Sequence, residues 1–462
     1  MLEKLANVFR IPDLRKRILF TLGLLAVYRL GGHIPTPGVN ADKLQQFFEQ
    51  NRGSLLGFVD LFSGGQLRRL TIFALGIMPY ITASIILQLL TVVYEPLAKL
   101  QKEGELGRKK ITQWTRYLTV ILSSIQSFGI AWQLQRGGDF VVHPGPAFIL
   151  MTMLTLTTGS AFIMWLGEQI TERGVGNGMS LLIFAGIVVG LPRGVIDLYE
   201  TVRTDAWGAF TAPAMILLIG VMILVVAFIV YVERCERRIP VQYAKRVVGR
   251  KVMGGQSTHL PLRVNSGGVM PVIFASSILT LPHTVGYSLR NNRYIGDLIR
   301  WLGWGEPLYT ILYAVGIIFL AYFYVSIVFN PNEVADNMRK YGGFIPGIRP
   351  GKRTADHINE ILTRITLVGA LYLIIISFIP EWMITGIHLN HLYGPVGAFF
   401  ERLPTWITNG LNVNFYFGGT SLLIVVGVAM DTVTQIEAQL VMRHYDGFTP
   451  RSGRIRGRRT WS

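Results

Sequence analysis

Residues 76–87 read Gly-Ile-Met-Pro-Tyr-Ile-Thr-Ala-Ser-Ile-Ile-Leu, and residues 268–279 read Gly-Val-Met-Pro-Val-Ile-Phe-Ala-Ser-Ser-Ile-Leu. The two stretches are identical at eight of twelve positions. Each opens an apolar segment long enough to cross a bilayer, with a proline near its start, where the missing N–H costs least. Two related helices, one in each half of the chain, are typical of a duplicated membrane fold. Helices of this composition also recur in unrelated membrane proteins, so a chance likeness remains the alternative.

Apolar runs of about 20 residues, the length needed to cross a hydrocarbon core of about 30 Å, recur along the whole chain. Half of the 462 residues are hydrophobic and only 15% are charged. We therefore predict an all-α polytopic membrane protein with ten transmembrane helices, numbered as spans 1 to 10. Their predicted bounds are 18–34, 72–93, 114–135, 148–167, 179–199, 212–232, 268–288, 308–329, 365–386 and 417–438. Span 5 is the weakest prediction because Pro192 and Arg193 interrupt it. No cleavable signal peptide is expected, since the N-terminus is amphipathic and charged.

The basic residues lie mainly on one side of the membrane if the N-terminus is cytosolic and the ten spans alternate in direction. Most of the 44 Lys and Arg residues then fall in cytosolic segments, whereas basic and acidic residues balance in the outer segments. The net charge of +17 is therefore cytosolic, as the positive-inside rule requires. Such an excess suggests an anionic partner in the cytosol, with anionic lipid as the alternative.

This assignment divides the chain into four predicted parts. They are a cytosolic amphipathic N-terminal helix at 1–17, an N-terminal half with spans 1 to 5 at 18–200, a C-terminal half with spans 6 to 10 at 201–438, and a basic cytosolic tail at 439–462. The C-terminal half contains two long basic cytosolic loops, 233–267 and 330–364. Their length favours docking surfaces over simple connections, although runs of charge are usually only solvated faces.

Residues 54–70 do not form a further span. Their apolar part covers about nine residues, too few to cross a bilayer, and Ser63-Gly64-Gly65 breaks it before span 2 begins. A half-helix at membrane depth is tolerated where protein surrounds it or where it lines a water-filled cavity. The stretch is therefore either a mobile stopper beside a pore or a small surface helix in an outer loop.

Motifs for catalysis and cofactor binding do not occur in the sequence, which contains no HExxH, no Walker A motif and no Cys–His cluster. Gly174-x-Gly176-x-Gly178 follows no predicted strand and favours a tight cytosolic turn over a phosphate-binding loop. Arg29 and Asp431 are charged residues within spans: Arg29 lies near enough to the end of span 1 to snorkel, and Asp431 could hydrogen bond between helices. We expect no enzyme activity and no cofactor, and an ion-coupled transporter would be expected to carry more intramembrane charge.

Isoleucine recurs at positions that could face a central passage. Ile77 and Ile81 lie one turn apart in span 2, Ile273 is the counterpart of Ile81 in the repeat, and Ile183 lies early in span 5. Branched apolar side chains that meet at one depth would form a dewetted constriction, which excludes ions without a charged filter. Isoleucine in a membrane helix more often faces lipid or core, so these residues alone do not decide between the two roles.

Five stretches of the sequence resemble the SecY family, the channel subunits of the general protein-secretion translocon, and in particular its bacterial members. They are 73–84 (Phe-Ala-Leu-Gly-Ile-Met-Pro-Tyr-Ile-Thr-Ala-Ser), 167–174 (Gly-Glu-Gln-Ile-Thr-Glu-Arg-Gly), 256–262 (Gln-Ser-Thr-His-Leu-Pro-Leu), 344–351 (Phe-Ile-Pro-Gly-Ile-Arg-Pro-Gly) and 416–424 (Tyr-Phe-Gly-Gly-Thr-Ser-Leu-Leu-Ile). The resemblance covers nearly the whole chain. It implies two five-helix halves related by inverted pseudo-symmetry around a central pore, with spans 2 and 7 facing each other across a lateral gate.

The resemblance also implies the site residues. The pore ring would consist of Ile77, Ile81, Met179, Ile183, Ile273 and Ile424. The plug would include Phe58, Leu61, Phe62, Gly64 and Gly65. The lateral gate would include Thr82, Gln88, Asn177 and Leu281. The partner-docking surface would include Arg250, Lys251, Arg339, Lys340 and Arg349.

The implied function is that of a passive protein-conducting channel in the bacterial plasma membrane, with both termini in the cytosol. Such a channel moves unfolded secretory polypeptides across the membrane and releases membrane-protein helices laterally. The implied partners are the small membrane subunits SecE and SecG, the SecA motor ATPase, the translating ribosome with its rRNA, unfolded clients with their signal sequences, and membrane lipid. A secondary transporter and a structural scaffold are the competing interpretations. The long outer segment 387–415 and the arginine-rich tail differ from the family pattern.

Overall fold

A helix overlaps each of the ten predicted spans in the structure, a computed structural model. The structure describes residues 11–50, 60, 63–136, 140–203, 211–243, 246–248, 251–253, 257–287, 306–385 and 419–446. Spans 1 to 10 are, in chain order, the helices Pro12–Gly31, Met78–Val93, Glu105–Arg136, Pro146–Arg173, Gly178–Arg203, Thr211–Arg234, Met270–Tyr287, Pro307–Val328, Lys352–Thr385 and Gly419–Asp446. Among the described residues, three shorter helices lie between spans: Ala41–Gln50, Glu95–Lys102 and Pro331–Lys340.

Within the described residues, five helical stretches are each long and apolar enough to cross a membrane. They correspond to spans 4, 5, 8, 9 and 10. Span 2 becomes a sixth when the helix that follows it, bent away by 105°, is counted with it. The prediction of a polytopic helical membrane protein is confirmed.

The two copies of the sequence repeat enter their helices through the same turn. Gly76 and Gly268 both have a φ of 57°, which L side chains rarely adopt, and each lies two residues before the first residue of a helix. Their N–H groups donate to the carbonyls three residues earlier, at 2.8 Å to Phe73 and 3.2 Å to Asn265. The helix of span 2 therefore starts at Met78, six residues after the predicted 72, because the turn occupies the intervening residues.

A second correspondence between the halves lies beyond the repeated twelve residues. On span 4, a Cβ added to Gly159 would overlap the carbonyl oxygen of Ile72, and on span 9 a Cβ added to Gly369 would lie 2.8 Å from the carbonyl oxygen of Val264. Ile72 and Val264 occupy the same position, four residues before the turn glycine. In both halves the fourth helix therefore approaches, at a glycine, the turn that precedes span 2 or span 7.

The basic loop 233–267 folds into strands, which the apolar pattern did not predict. Strand β1 (Glu236–Tyr243) pairs antiparallel with β4 (Ser257–Arg263), and β2 (Arg246–Val248) pairs with β3 (Lys251–Met253). Strand β5 (Gly343–Phe344), from the other basic loop, adds to the opposite edge of β1. The two predicted docking loops therefore share one sheet.

The basic loop 330–364 is mostly helical. After the helix Pro331–Lys340 and strand β5, the helix of span 9 begins at Lys352, 13 residues before the predicted start at 365. The difference arises because hydropathy marks only the part of a helix that lies in lipid. Ile358 and Leu362, on the added turns, are buried in the cluster that contains Ile239 of β1, so they fix the sheet on span 9.

Candidate pore and gate

The six predicted ring residues lie in and against one apolar cluster built from both halves of the chain. Ile77, Ile81 and Ile183 come from spans 2 and 5 of the first half, and Ile273 and Ile424 from spans 7 and 10 of the second. All five isoleucines are buried, with exposed fractions from 0% to 7%. Met179, at the start of span 5, is partly buried and packs against the same cluster.

The chemistry of this cluster permits a seal but does not single out the six residues. The cluster also includes buried isoleucines on other spans, such as Ile317 on span 8 and Ile376 on span 9, each 0% exposed. The cluster consists of buried aliphatic and aromatic side chains. Apolar walls of this kind exclude water from a narrow neck and offer ions no replacement for their hydration shells.

The glycine pair of the predicted plug lies against the first half of the chain. A Cβ on Gly64 would lie 2.9 Å from both the Cα and the carbonyl oxygen of Gly186 on span 5. Arg29 of span 1 donates from its guanidinium to the carbonyl of Gly64 at 3.4 Å, so its side chain holds this turn and the predicted snorkelling is not its only role. Gly65 has a φ of 78°, and a Cβ there would meet only the side chain of Arg68. Phe58, Leu61 and Phe62 lie outside the described residues.

Asp60 stabilises the turn of the predicted plug through hydrogen bonds within that turn. Its carboxylate accepts the backbone N–H of Arg68 at 3.0 Å, and its carbonyl accepts the N–H of Gly65 and the hydroxyl of Ser63, both at 2.9 Å. Burial raises the pKa of the Asp60 carboxyl above its ordinary value, and the N–H and the charge of Arg68 offset part of that rise. No sequence pattern predicts this role of the carboxylate, because its partner is a backbone group.

Spans 2 and 7 pack against each other, as the predicted lateral gate requires. Thr82 is 4% exposed and donates to the carbonyl of Met78 within span 2. Gln88 donates to the hydroxyl of Ser84, and Asn177 is exposed and accepts the N–H of Met179. Leu281 lies within the helix of span 7, but its side chain is outside the described part of the structure.

The described docking cations lie on the helix Pro331–Lys340, in the turn after β5 and on the hairpin of β2 and β3. Arg339 and Lys340 form the exposed last turn of the helix Pro331–Lys340, and Arg349 is exposed in the turn after β5. Lys251 begins β3, and Arg250 lies outside the described residues. The described cations therefore come from both basic loops.

A group of polar side chains, which no sequence pattern predicted, joins the sheet shared by the two basic loops to the start of span 7. Asn265 is 5% exposed and donates both to a carboxylate oxygen of Glu233, at 2.6 Å, and to the carbonyl of Gly268, at 3.1 Å. Beside it, Arg263 at the end of β4 pairs with Asp431 at 3.3 Å. Asp431 thus bonds to a strand and not, as expected, between helices.

Metal binding finds no support in the part of the chain that the structure describes, where no group of three or more His, Cys, Asp or Glu side chains could hold an ion.

Comparison with known proteins gives matches over most of the chain. The SecY family model matches residues 71–433. The protein translocase subunit SecY of Escherichia coli strain K12 is 47% identical to this chain over 441 residues, which cover 94% of this chain and 93% of the relative. The protein translocase subunit SecY of Vibrio cholerae is 46% identical over 443 residues, which cover 94% of each. Two solved structures share the fold, each covering 94% of this chain and 94% of theirs at 17% identity: "The structure of a protein conducting channel", with a TM-score of 0.63, and Sec61 in the canine ribosome-channel complex, with 0.60.

Proposed function

The chain belongs to the SecY family and is a protein translocase channel subunit, and from that premise we propose how its residues move polypeptides. The chain is a passive pore in the bacterial plasma membrane. Unfolded polypeptides cross it between the two halves, and membrane-protein helices leave it sideways between spans 2 and 7. Energy comes from partners, since the sequence contains no nucleotide-binding motif.

One observation carries the proposal: side chains from four helices of both halves meet in and against one uncharged, buried cluster. We assign the seal to Ile77, Ile81, Met179, Ile183, Ile273 and Ile424. Because these side chains belong to different helices, the neck widens when the helices separate and closes again when they return. A threading polypeptide fills the widened neck, which limits ion flow without any charged filter.

The plug provides the second seal. Gly64 lies against span 5 and is held by Arg29 of span 1, so the closed plug contacts the wall of the same passage. An entering polypeptide must displace this turn. The contact between two glycine backbones has no interlocking side chains at that point, which permits release.

The cytosolic face receives the partners. With the N- and C-termini in the cytosol, the shared sheet and the exposed Arg339, Lys340 and Arg349 face that side. Clustered cations attract rRNA phosphates and acidic protein surfaces. We propose the ribosome and the SecA motor as alternating occupants, in keeping with the ribosome-channel complex described for the canine relative. The subunits SecE and SecG would complete the channel in the membrane.

The test is a covalent lock on the gate. Cysteines replacing Thr82 and Leu281, in a chain whose single cysteine is changed by Cys235→Ser, should form a disulfide across the closed gate. In proteoliposomes with the motor and ATP, oxidation should abolish passage of a signal-bearing polypeptide, and reduction should restore it. The single variant Thr82→Cys, treated with the same oxidant, is the control. Undiminished passage with the disulfide fully formed would refute the gate, and uptake of a small solute in place of a polypeptide would favour a transporter.

A further inference from the structure

The turns that lead into the two gate helices have the same backbone but are anchored by different chemistry. In the first half, Phe73 precedes Gly76 by three residues and is 2% exposed. Its ring stacks between Tyr28 of span 1 and Phe162 of span 4, with centroid distances of 5.9 Å to each. This anchor is apolar on both faces.

In the second half, the equivalent position before Gly268 is Asn265. It also reaches the first helix of its half, but it does so with a hydrogen bond to Glu233 at the end of span 6. Its second bond, to the carbonyl of Gly268, ties the same amide to the turn itself. The position that stacks on span 1 in one half therefore hydrogen bonds to span 6 in the other.

These two anchors differ in how they respond to movement. A buried aromatic stack keeps most of its contact area when its helix shifts slightly, and exposing its rings to water is costly. A hydrogen bond weakens steeply once its distance and angle change, and its polar groups can then bond to water. The junction lies at the cytosolic end of span 7, where Arg263 and Asp431 are already half-exposed, with side-chain exposures of 48% and 60%.

From this difference we propose that the hydrogen bond between Asn265 and Glu233 is the releasable anchor of span 7: it holds the start of that helix against span 6 while the channel is closed, and it breaks when the lateral gate opens. The inference rests on the proposed function, because it takes spans 2 and 7 as the gate. It adds that the two gate helices are not equivalent, since span 2 has a permanent anchor and span 7 has a switchable one.

The same geometry links the anchor to the docking sheet. Strand β4 ends at Arg263, two residues before Asn265. The stretch from Val264 to Val269 has little room, because Gly369 of span 9 approaches the carbonyl of Val264 and a Cβ on Gly427 of span 10 would lie 2.5 Å from the side chain of Val269. A partner that displaces the sheet therefore acts on the anchor before it acts on span 7.

The experiment measures how often the gate opens in the absence of a client. Thr82 is 4% exposed in the closed gate, so in a Cys235→Ser chain the rate at which a water-soluble maleimide labels Thr82→Cys follows the open fraction. Asn265→Ala and Glu233→Ala each remove the bond and should raise the labelling rate about tenfold, as expected for losing a hydrogen bond to a charged group. Glu233→Gln retains an acceptor oxygen but loses the charge, so its labelling rate should rise less than that of Glu233→Ala. Melting temperatures identify any variant that has lost its fold.

Two controls make the outcome decisive. Ser266→Ala removes a hydrogen bond to the carbonyl of Arg263 in the same stretch without touching span 6, and it should label at the unmodified rate. A folded Asn265→Ala variant that labels no faster than the Ser266→Ala variant would overturn the anchor, as would Glu233→Gln labelling as fast as Glu233→Ala. Thr82→Cys is also labelled in a chain with the intact Asn265–Glu233 bond while the motor and a client are engaged. If labelling of Thr82→Cys does not rise there, the gate assignment itself is wrong and the anchor falls with it. If the labelling rate rises with the motor and client but Asn265→Ala does not change it, only the assignment of the anchor is wrong.

Discussion

Replacing Gly64 with alanine should unseat the plug, and the neighbouring Gly65 provides a matched control. Both glycines have left-handed backbones, with φ of 70° and 78°. An L side chain in that region costs about 1–2 kcal/mol at either position, so this cost cancels between the two variants. The surroundings differ, because a Cβ on Gly64 would lie 2.9 Å from the backbone of Gly186, whereas one on Gly65 would lie 3.1 Å from the end of the Arg68 side chain.

The difference between the variants gives the magnitude. Arg68 can move its flexible end, but the backbone of span 5 cannot, so overpacking of about 1–3 kcal/mol falls on Gly64→Ala alone. That range corresponds to about a 5- to 150-fold larger unseated fraction of the plug. Resting ion conductance in planar bilayers should therefore be at least about fivefold higher for Gly64→Ala than for Gly65→Ala. Equal conductance of the two variants would show that contact with Gly186 does not hold the plug.

Two further predictions concern the docking surface and the helix packing. Arg349→Glu should lower motor-driven export about tenfold, because it places an anion against an acidic or carbonyl-rich partner. The same charge reversal at Arg203, exposed at the outer end of span 5, should leave export unchanged. Equal losses of export in the two variants would show that Arg349 does not dock the motor. Gly159→Ala should lower the melting temperature of the purified protein, because its methyl group would overlap the carbonyl of Ile72, whereas Gly23→Ala on span 1 meets open space and should not lower it. Equal melting temperatures would show that span 4 does not pack so closely.

The apolar runs predicted that ten helices exist, but they did not predict where the helices end. Hydropathy reports only the stretch that lies in lipid. It therefore missed the polar helical turns from Lys352, with which span 9 packs against the sheet of the two basic loops. It also placed the start of span 2 in the turn around Gly76, since that turn is itself apolar. The repeat predicted two related helices, and the equal φ at Gly76 and Gly268 shows that the turns before them match as well.

The candidate site could be predicted only where residue type alone carries the signal. Isoleucines at equivalent positions of a repeat suggested a shared apolar cluster, and Ile81 and Ile273 do share one. The polar contacts could not be predicted, because each depends on a partner far away in the sequence: Arg263 is 168 residues from Asp431, and Asn265 is 32 residues from Glu233. A charged residue near a helix end shows that a partner is needed, but not which one.

Sealing by the isoleucine ring is the central claim, and resting conductance tests it most directly. The double variant Ile81→Ser and Ile273→Ser is compared in planar bilayers with Ile317→Ser and Ile376→Ser, two isoleucines that are at least as deeply buried in the same cluster but lie on spans 8 and 9. Serine shortens the side chain and gives water a hydrogen-bond partner, so the ring variant should leak at least about tenfold more than the control while still passing polypeptides. A ring variant that leaks no more than the control would mean that these isoleucines only pack the core.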